Sequence, residues 1–167
     1  NVIAKATEGA VTAKVEGSAA ALNAALKEVS SDNDITVTLT GTTATAKDLK
    51  ELAAKVTVDA SGIETITGNA ADVKAALAIA SLVAGTVAVT VTGAVTVSDI
   101  AAIKLLAATG VIKATLEGSA TELATLANSS TDLLTLKVTG DTATAAQLAD
   151  IDKSTSLRSE ERRVGKE

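Results

Sequence analysis

The sequence predicts an α/β fold made of repeats: a right-handed α/β solenoid of about six strand-helix units, each of ~25 residues in alternating short and long classes, on a parallel sheet. Three observations predict it. Glycine recurs at positions 17, 41, 68, 93, 118 and 140, in steps of 24, 27, 25, 25 and 22 residues. Before five of these six glycines, aliphatic and polar residues alternate, which is the period of a strand with one buried face. After each comes a small polar residue and then an apolar stripe at helical spacing, a connection too long for a hairpin. Successive strands therefore run parallel through right-handed crossovers.

In chain order, residues 1 to 10 read as the remains of an earlier unit, because TEGAVTAKVEGSA at 7–19 lines up with ATGVIKATLEGSA at 108–120. The first complete unit turns Val11, Ala13 and Val15 inward, caps its helix with Ser18 and buries Leu22, Leu26 and Val29. In the second, the strand of Ile35, Val37 and Leu39 is followed by an inserted TTATA, so that Leu49 stands eight residues past Gly41, whereas Leu22 stands only five past Gly17. The third is short again, with Val73 five past Gly68, and its strand from Gly62 to Thr67 breaks alternation at Ile63 and Ile66, as a bulge does. The fourth carries Val87, Val89 and Val91 and an extended AVTV before Ile100, seven past its glycine. Leu123 returns to five past, and in the sixth unit Leu134, Leu136 and Val138 precede a helix with Leu148, eight past Gly140, and Ile151.

Short and long units thus alternate, and the full period is two units, 51 and 50 residues between Gly17, Gly68 and Gly118. The expected helix caps are Ser18, Asn69 with Asp72, and Ser119 with Glu122 in the short class, and Thr45, Ser98 and Thr144 with Gln147 in the long class. One unit buries too little aliphatic surface to stand alone, so neighbours must cover it. A closed six-fold or eight-fold barrel is the alternative. It fits less well, since barrel strands are buried on both faces and these alternate with Thr and Lys.

Composition removes several functions. The chain has no His, Cys, Phe, Tyr, Trp, Met or Pro. Triads, imidazole bases, thiolate or imidazole metal sites and aromatic stacking platforms are therefore absent, and nothing points to catalysis or to a cofactor. The net charge is -5; four basic and three acidic residues lie in 158–167, leaving 11 Lys against 17 Asp and Glu, a net of -6, in 1–157. An acidic body without a basic stripe argues against nucleic acid and against anionic membranes. The 24 uncharged residues between Lys74 and Asp99 are long enough to span a bilayer, but Thr86, Thr90, Thr92 and Thr96 follow strand alternation, so no membrane span is expected.

Two surface features are candidates for binding. Thr36, Thr38, Thr40, Thr90, Thr92, Thr135 and Thr139 should rank on the exposed sheet face, as in ice-binding β-solenoids, with Lys14, Glu16, Lys113, Glu117 and Lys137 interrupting them. The loops SSDND at 30–34 and NSSTD at 128–132 offer oxygen ligands, with Asp32, Asp34 and Asp132 as weak calcium candidates, although neither has the Gly and distal Glu of an EF-hand.

The VTVTG of 89–93 and the TATAAQLADI of 142–151 resemble the monotonous Thr, Ala and Val-rich repeats of very long bacterial proteins, adhesin-like or at the cell surface. The resemblance covers residues 1–156 of a repeat domain, residues 1–157, whose two ends are expected to be cut. It implies an extracellular or cell-surface spacer, stalk or filament segment acting by self-association. The charged tail at 158–167, RSEERRVGKE, has no repeat phase, carries all three Arg and resembles vector-derived sequence. The alternative function is a flat-face binding module for ice, a polysaccharide or a partner protein.

Overall fold

The computed structural model describes residues 11–29, 32–126, 131–140 and 142–154. The expected earlier unit at 1–10 and the tail at 158–167 lie outside them. Among the described residues the chain is α/β, with parallel strand pairing throughout. The strands are β1 (Thr12–Gly17), β2 (Asp34–Leu39), β3 (Thr43–Thr45), β4 (Thr57–Asp59), β5 (Thr65–Gly68), β6 (Ala88–Val91), β7 (Ile112–Gly118) and β8 (Leu133–Val138). The helices are α1 (Ala19–Ala25), α2 (Ala46–Ala53), α3 (Ala70–Leu77), α4 (Val97–Leu106), α5 (Ala120–Leu123) and α6 (Ala145–Lys153). One sheet has the order β1-β2-β4 and the other β3-β5-β6-β7-β8, so the described strands form open sheets and no closed barrel.

Register fixes how the units follow one another. Thr12 pairs with Asp34, Thr36 with Thr57, Thr65 with Ala88, Val89 with Ile112 and Lys113 with Leu133, steps of 22, 21, 23, 23 and 20 residues. Each unit advances the sheet by one strand. The two classes are offset within that register, because Gly17, Gly68 and Gly118 lie opposite Leu39, Val91 and Val138, each two residues before a long-class glycine. The long-class strand runs further and then turns sharply at Gly41, Gly93 or Gly140, with φ of 91°, 82° and 102°, a conformation that favours a residue without a Cβ. After that turn comes the extra extended segment expected from the inserted residues. It is β3 in the second unit, and in the fourth it is Val95, which pairs alone with Leu116.

The irregular third strand has the geometry of a bulge. The amides of Glu64 and Thr65 both donate to the carbonyl of Thr42, at 2.8 and 3.0 Å, so two residues face one. That extra residue lets Ile63 and Ile66 both point inward, and it starts β5 at Thr65 rather than at Gly62.

The core is one continuous aliphatic layer between sheet and helices. Val37, Ile66, Val89, Ile112, Leu116 and Leu134 meet Leu49, Leu52, Val73, Ile100, Ile103 and Leu123, all at most 1 % exposed. The uncharged run at 75–98 forms the end of α3, a short turn, β6 and the approach to α4, and no described helix is long and apolar enough to cross a membrane. Leu148 departs from expectation at 49 % exposure, with Ile151 the buried residue of α6. The helix beside α6 is the single turn α5, too short to cover both residues.

Every helix begins with a side-chain cap, because Ser, Thr or Asn at that position offers an oxygen to an otherwise unpaired amide. Ser18, Thr45, Asn69, Ser119 and Thr144 act as expected. In the fourth unit the cap is Thr96, not Ser98. Thr96 and Asp99 close a reciprocal capping box, which Ser98, already inside the first turn, cannot form.

Candidate functional site

The outer sheet face carries threonine in short ranks. Thr36 lies between Lys14 and Thr57, and Thr38 between Glu16 and Asp59. Thr90 lies between Thr67 and Lys113, and Thr135 beside Thr115. Thr40, Thr92 and Thr139 stand just past their strands, where their amides bond the carbonyls of Gly17, Gly68 and Gly118 at 2.9, 2.9 and 2.8 Å. The longest aligned run is Thr45, Thr67 and Thr90 across three adjacent strands, continued by Lys113. Of these three only Thr90 follows from the strand pattern before the glycines. TAT at 43–45 and TIT at 65–67 carry the same alternation, but they sit in the inserted segment and beside the bulge, where sequence phase is lost.

Of the acidic loops at 30–34 and 128–132, residues 32–34 and 131–132 are described. Asp32 and Asp34 are exposed, while the side-chain Oδ1 of Asn33 between them accepts the amide of Val11 at 2.9 Å. Asp132 is 2 % exposed. One of its oxygens accepts the amide of Ile112 at 3.0 Å, and the other lies 2.9 Å from the Lys104 ammonium. Among the described residues no three acidic side chains gather around a point that a metal ion would occupy. Asn33 and Asp132 hold equivalent places in their units. Ser81 does the same work between the third and fourth units, accepting the amide of Ala60 at 3.0 Å and donating to the carbonyl of Val58 at 2.6 Å. Each of these loops closes a backbone group that the preceding strand leaves open.

A second set of bonds joins helix to helix, and the sequence pattern did not reveal it. In α2, α3 and α4 the third residue past the cap, Asp48, Asp72 or Asp99, bonds its own cap and also receives a donor from the helix before. Asn23 of α1 donates to Asp48 at 2.9 Å and to Glu51 at 2.7 Å. Lys50 of α2 pairs with Asp72, and Lys74 of α3 with Asp99 at 2.8 Å. Gln147 of α6 donates back to Thr121 of α5 at 2.9 Å. All three donors on α1 to α3 lie five residues past their caps, a spacing invisible until the step between units is known.

These bonds shape the electrostatics. The Lys50 ammonium holds the Asp72 carboxyl below the usual range, against the opposing effect of burial, and Asn69 adds to it. Lys74, then Thr96, does the same for Asp99. Glu122 is lowered by its cap Ser119, and Asp59 by Ser61. In the two ion pairs, Lys50 with Asp72 and Lys74 with Asp99, the basic and acidic groups face one another along the helix layer rather than converge on a cleft, which is the arrangement of a structural ladder. Comparison with protein-family models, curated proteins and solved structures finds no match to this chain.

Proposed function

We propose that this chain is a structural repeat segment, a right-handed α/β solenoid that serves as a spacer, stalk or filament unit of a bacterial surface protein and acts by stacking and self-association. The observation that carries the reading is the parallel register, in which every described strand takes its neighbour from the next unit at a step of 20 to 23 residues. A body of this kind grows in one dimension, and its stability rests on contacts between neighbours. The polar ladder supports the reading too, since its charged groups satisfy one another instead of facing an open site.

Duplicating the two-unit block 68–117 in place tests it. The rod reading expects the molecule to lengthen by about 10 Å, two strand spacings, with an unchanged cross-section in small-angle scattering. A separate globule or an unfolded insert would overturn it. Electron microscopy of the concentrated protein tests the self-association part, end-to-end filaments being the expected result.

The aligned Thr45, Thr67 and Thr90 favour one further reading, a flat face for ice, a polysaccharide or a partner protein. Under it Thr67→Lys with Thr90→Lys abolishes thermal hysteresis or glycan binding. Absence of both signals from the unaltered protein rejects it for ice and for glycans.

A further inference from the structure

The joint between the fourth and fifth units differs from the others in three respects. α5 is one turn long, Ala120–Leu123, against seven to ten residues in the other helices. The donor position five past the cap, filled by Asn23, Lys50 and Lys74 in α1 to α3, is Ala101 in α4, which is exposed. Glu122, at the receiving position, bonds its own cap Ser119 just as Asp48, Asp72 and Asp99 bond theirs, so the missing partner is the donor alone. Lastly, β6 and β7 share only Val89 with Ile112 and Thr90 with Lys113, plus the lone pairing of Val95 with Leu116, whereas β7 and β8 share six registered pairs.

These gaps fall at one end of the joint. An open groove of about 400 Å³ lies between the first turn of α4, the end of β7 and α5, lined among others by Thr96, Ser98, Glu117, Thr121 and Glu122. The opposite end is fastened. There Asp132 holds the amide of Ile112 and the ammonium of Lys104, and the amide of Thr109 bonds the carbonyl of Gly85 at 2.8 Å. The joint is therefore pinned where β7 starts and unsecured where it ends.

We propose that this joint is a hinge built into the array, about which the first four units and the last two open and close, with Lys104–Asp132 as the pin and the groove as the mouth. The physical reason is that local opening follows the bonds that must break. At the other helix joints opening costs an ion pair or a side-chain hydrogen bond together with helix packing; here it costs neither in the same measure. The hinge goes beyond the spacer reading and stands whether or not the array serves as a rod.

Hydrogen–deuterium exchange on the whole chain tests it, with Ala101→Lys as the decisive variant. Amides of 97–101 and 119–124 are expected to exchange on the order of tenfold faster than those of the equivalent segments 46–50 and 70–75. Ala101→Lys places an ammonium opposite Glu122 as Lys74 stands opposite Asp99, and should slow exchange at both segments while leaving 46–50 unchanged. Lys74→Ala should create a second fast joint between α3 and α4. Equal protection at all joints, or an Ala101→Lys protein whose exchange is unaltered while Lys74→Ala opens its own joint, overturns the hinge. Neither result touches the spacer reading, which the duplication decides.

Discussion

Asp132 offers the sharpest test of how the units are held together. In Asp132→Ala two things are lost. The amide of Ile112, in a residue with 0 % exposure, keeps no acceptor, a loss of about 1–3 kcal/mol. The Lys104 side chain, 21 % exposed, also loses its counter-ion. A fully buried charge stranded in this way costs about 3–5 kcal/mol, and the partial exposure of this ammonium reduces that to about 1–2 kcal/mol. Together the expected destabilisation is about 2–5 kcal/mol. Asp132→Asn is the informative partner, because its amide oxygen can still accept from Ile112, as Asn33 accepts from Val11, so that only the ion pair goes and the cost falls to about 1–2 kcal/mol. Urea unfolding followed by far-ultraviolet circular dichroism measures both, with an unchanged slope confirming that the comparison is of stability. Equal losses for the two variants would refute the hydrogen-bond part of the reasoning. A calcium-dependent rise in the wild-type midpoint that Asp132→Asn removes would restore a cation site and refute the whole of it.

Three other outcomes follow from the same geometry. The carboxyls of Asp72, Asp99 and Glu122 are held below their ordinary values in the fold, so their contribution is complete above a pH of about 5 and is lost as pH falls through the folded-state values. Thermal melts should therefore be flat from about pH 6 to 9, where the absence of His and Cys leaves no side chain of neutral-range pKa to titrate, and should collapse in acid; Lys74→Ala should move the collapse to higher pH. A Cβ on Gly110 would lie 1.9 Å from the carbonyl oxygen of Val87, so Gly110→Ala must separate β6 from β7 at a cost above about 3 kcal/mol, while Gly93→Ala, with φ of 82° and open space around it, should cost about 1–2 kcal/mol in the same urea assay. Thr96→Ala should cost about 1 kcal/mol and Ser98→Ala less than about 0.5 kcal/mol, the reverse ranking being evidence for Ser98 as the cap.

Much of the fold was legible because strands and caps are local patterns. Alternation placed Ile35, Val37 and Leu39 and again Val87, Val89 and Val91 on the buried face, and cap spacing located five of six helix starts. The failures share a cause. Ser98 and Thr96 are both good caps, and the choice between them turns on whether Asp99 can reach back, which is a geometric question. Gly110 lies between the periodic glycines, and only the approach of Val87 from the neighbouring strand explains it. Asp132 looks the same in sequence whether it binds a cation or an amide. The ladder of Asn23, Lys50 and Lys74 needed the step between units, which the glycine spacing overstates by two to six residues.

The loop bonds of Asn33, Ser81 and Asp132 answer a problem posed by the aliphatic core. If β7 slipped by two residues along β8, inward positions would remain inward, and one Val, Ile, Leu or Ala would replace another with little change in buried area. Hydrophobicity therefore sets the phase of each strand and leaves the register weakly determined. The polar bonds supply what is missing, because a slip of two residues carries the Ile112 amide about 6.6 Å past its partner strand and away from Asp132. The same displacement separates Val11 from Asn33 and Ala60 from Ser81, each leaving a backbone donor open at about 1–3 kcal/mol. Replacing Asn33, Ser81 and Asp132 together by Ala should accordingly do more than lower the melting temperature. The amide spectrum of the triple variant should show additional or exchange-broadened peaks for β1, β4 and β7 at temperatures where it is still folded. A single sharp set of peaks in a merely less stable protein would mean that packing alone selects the register, and that small aliphatic side chains discriminate more finely than their buried area suggests.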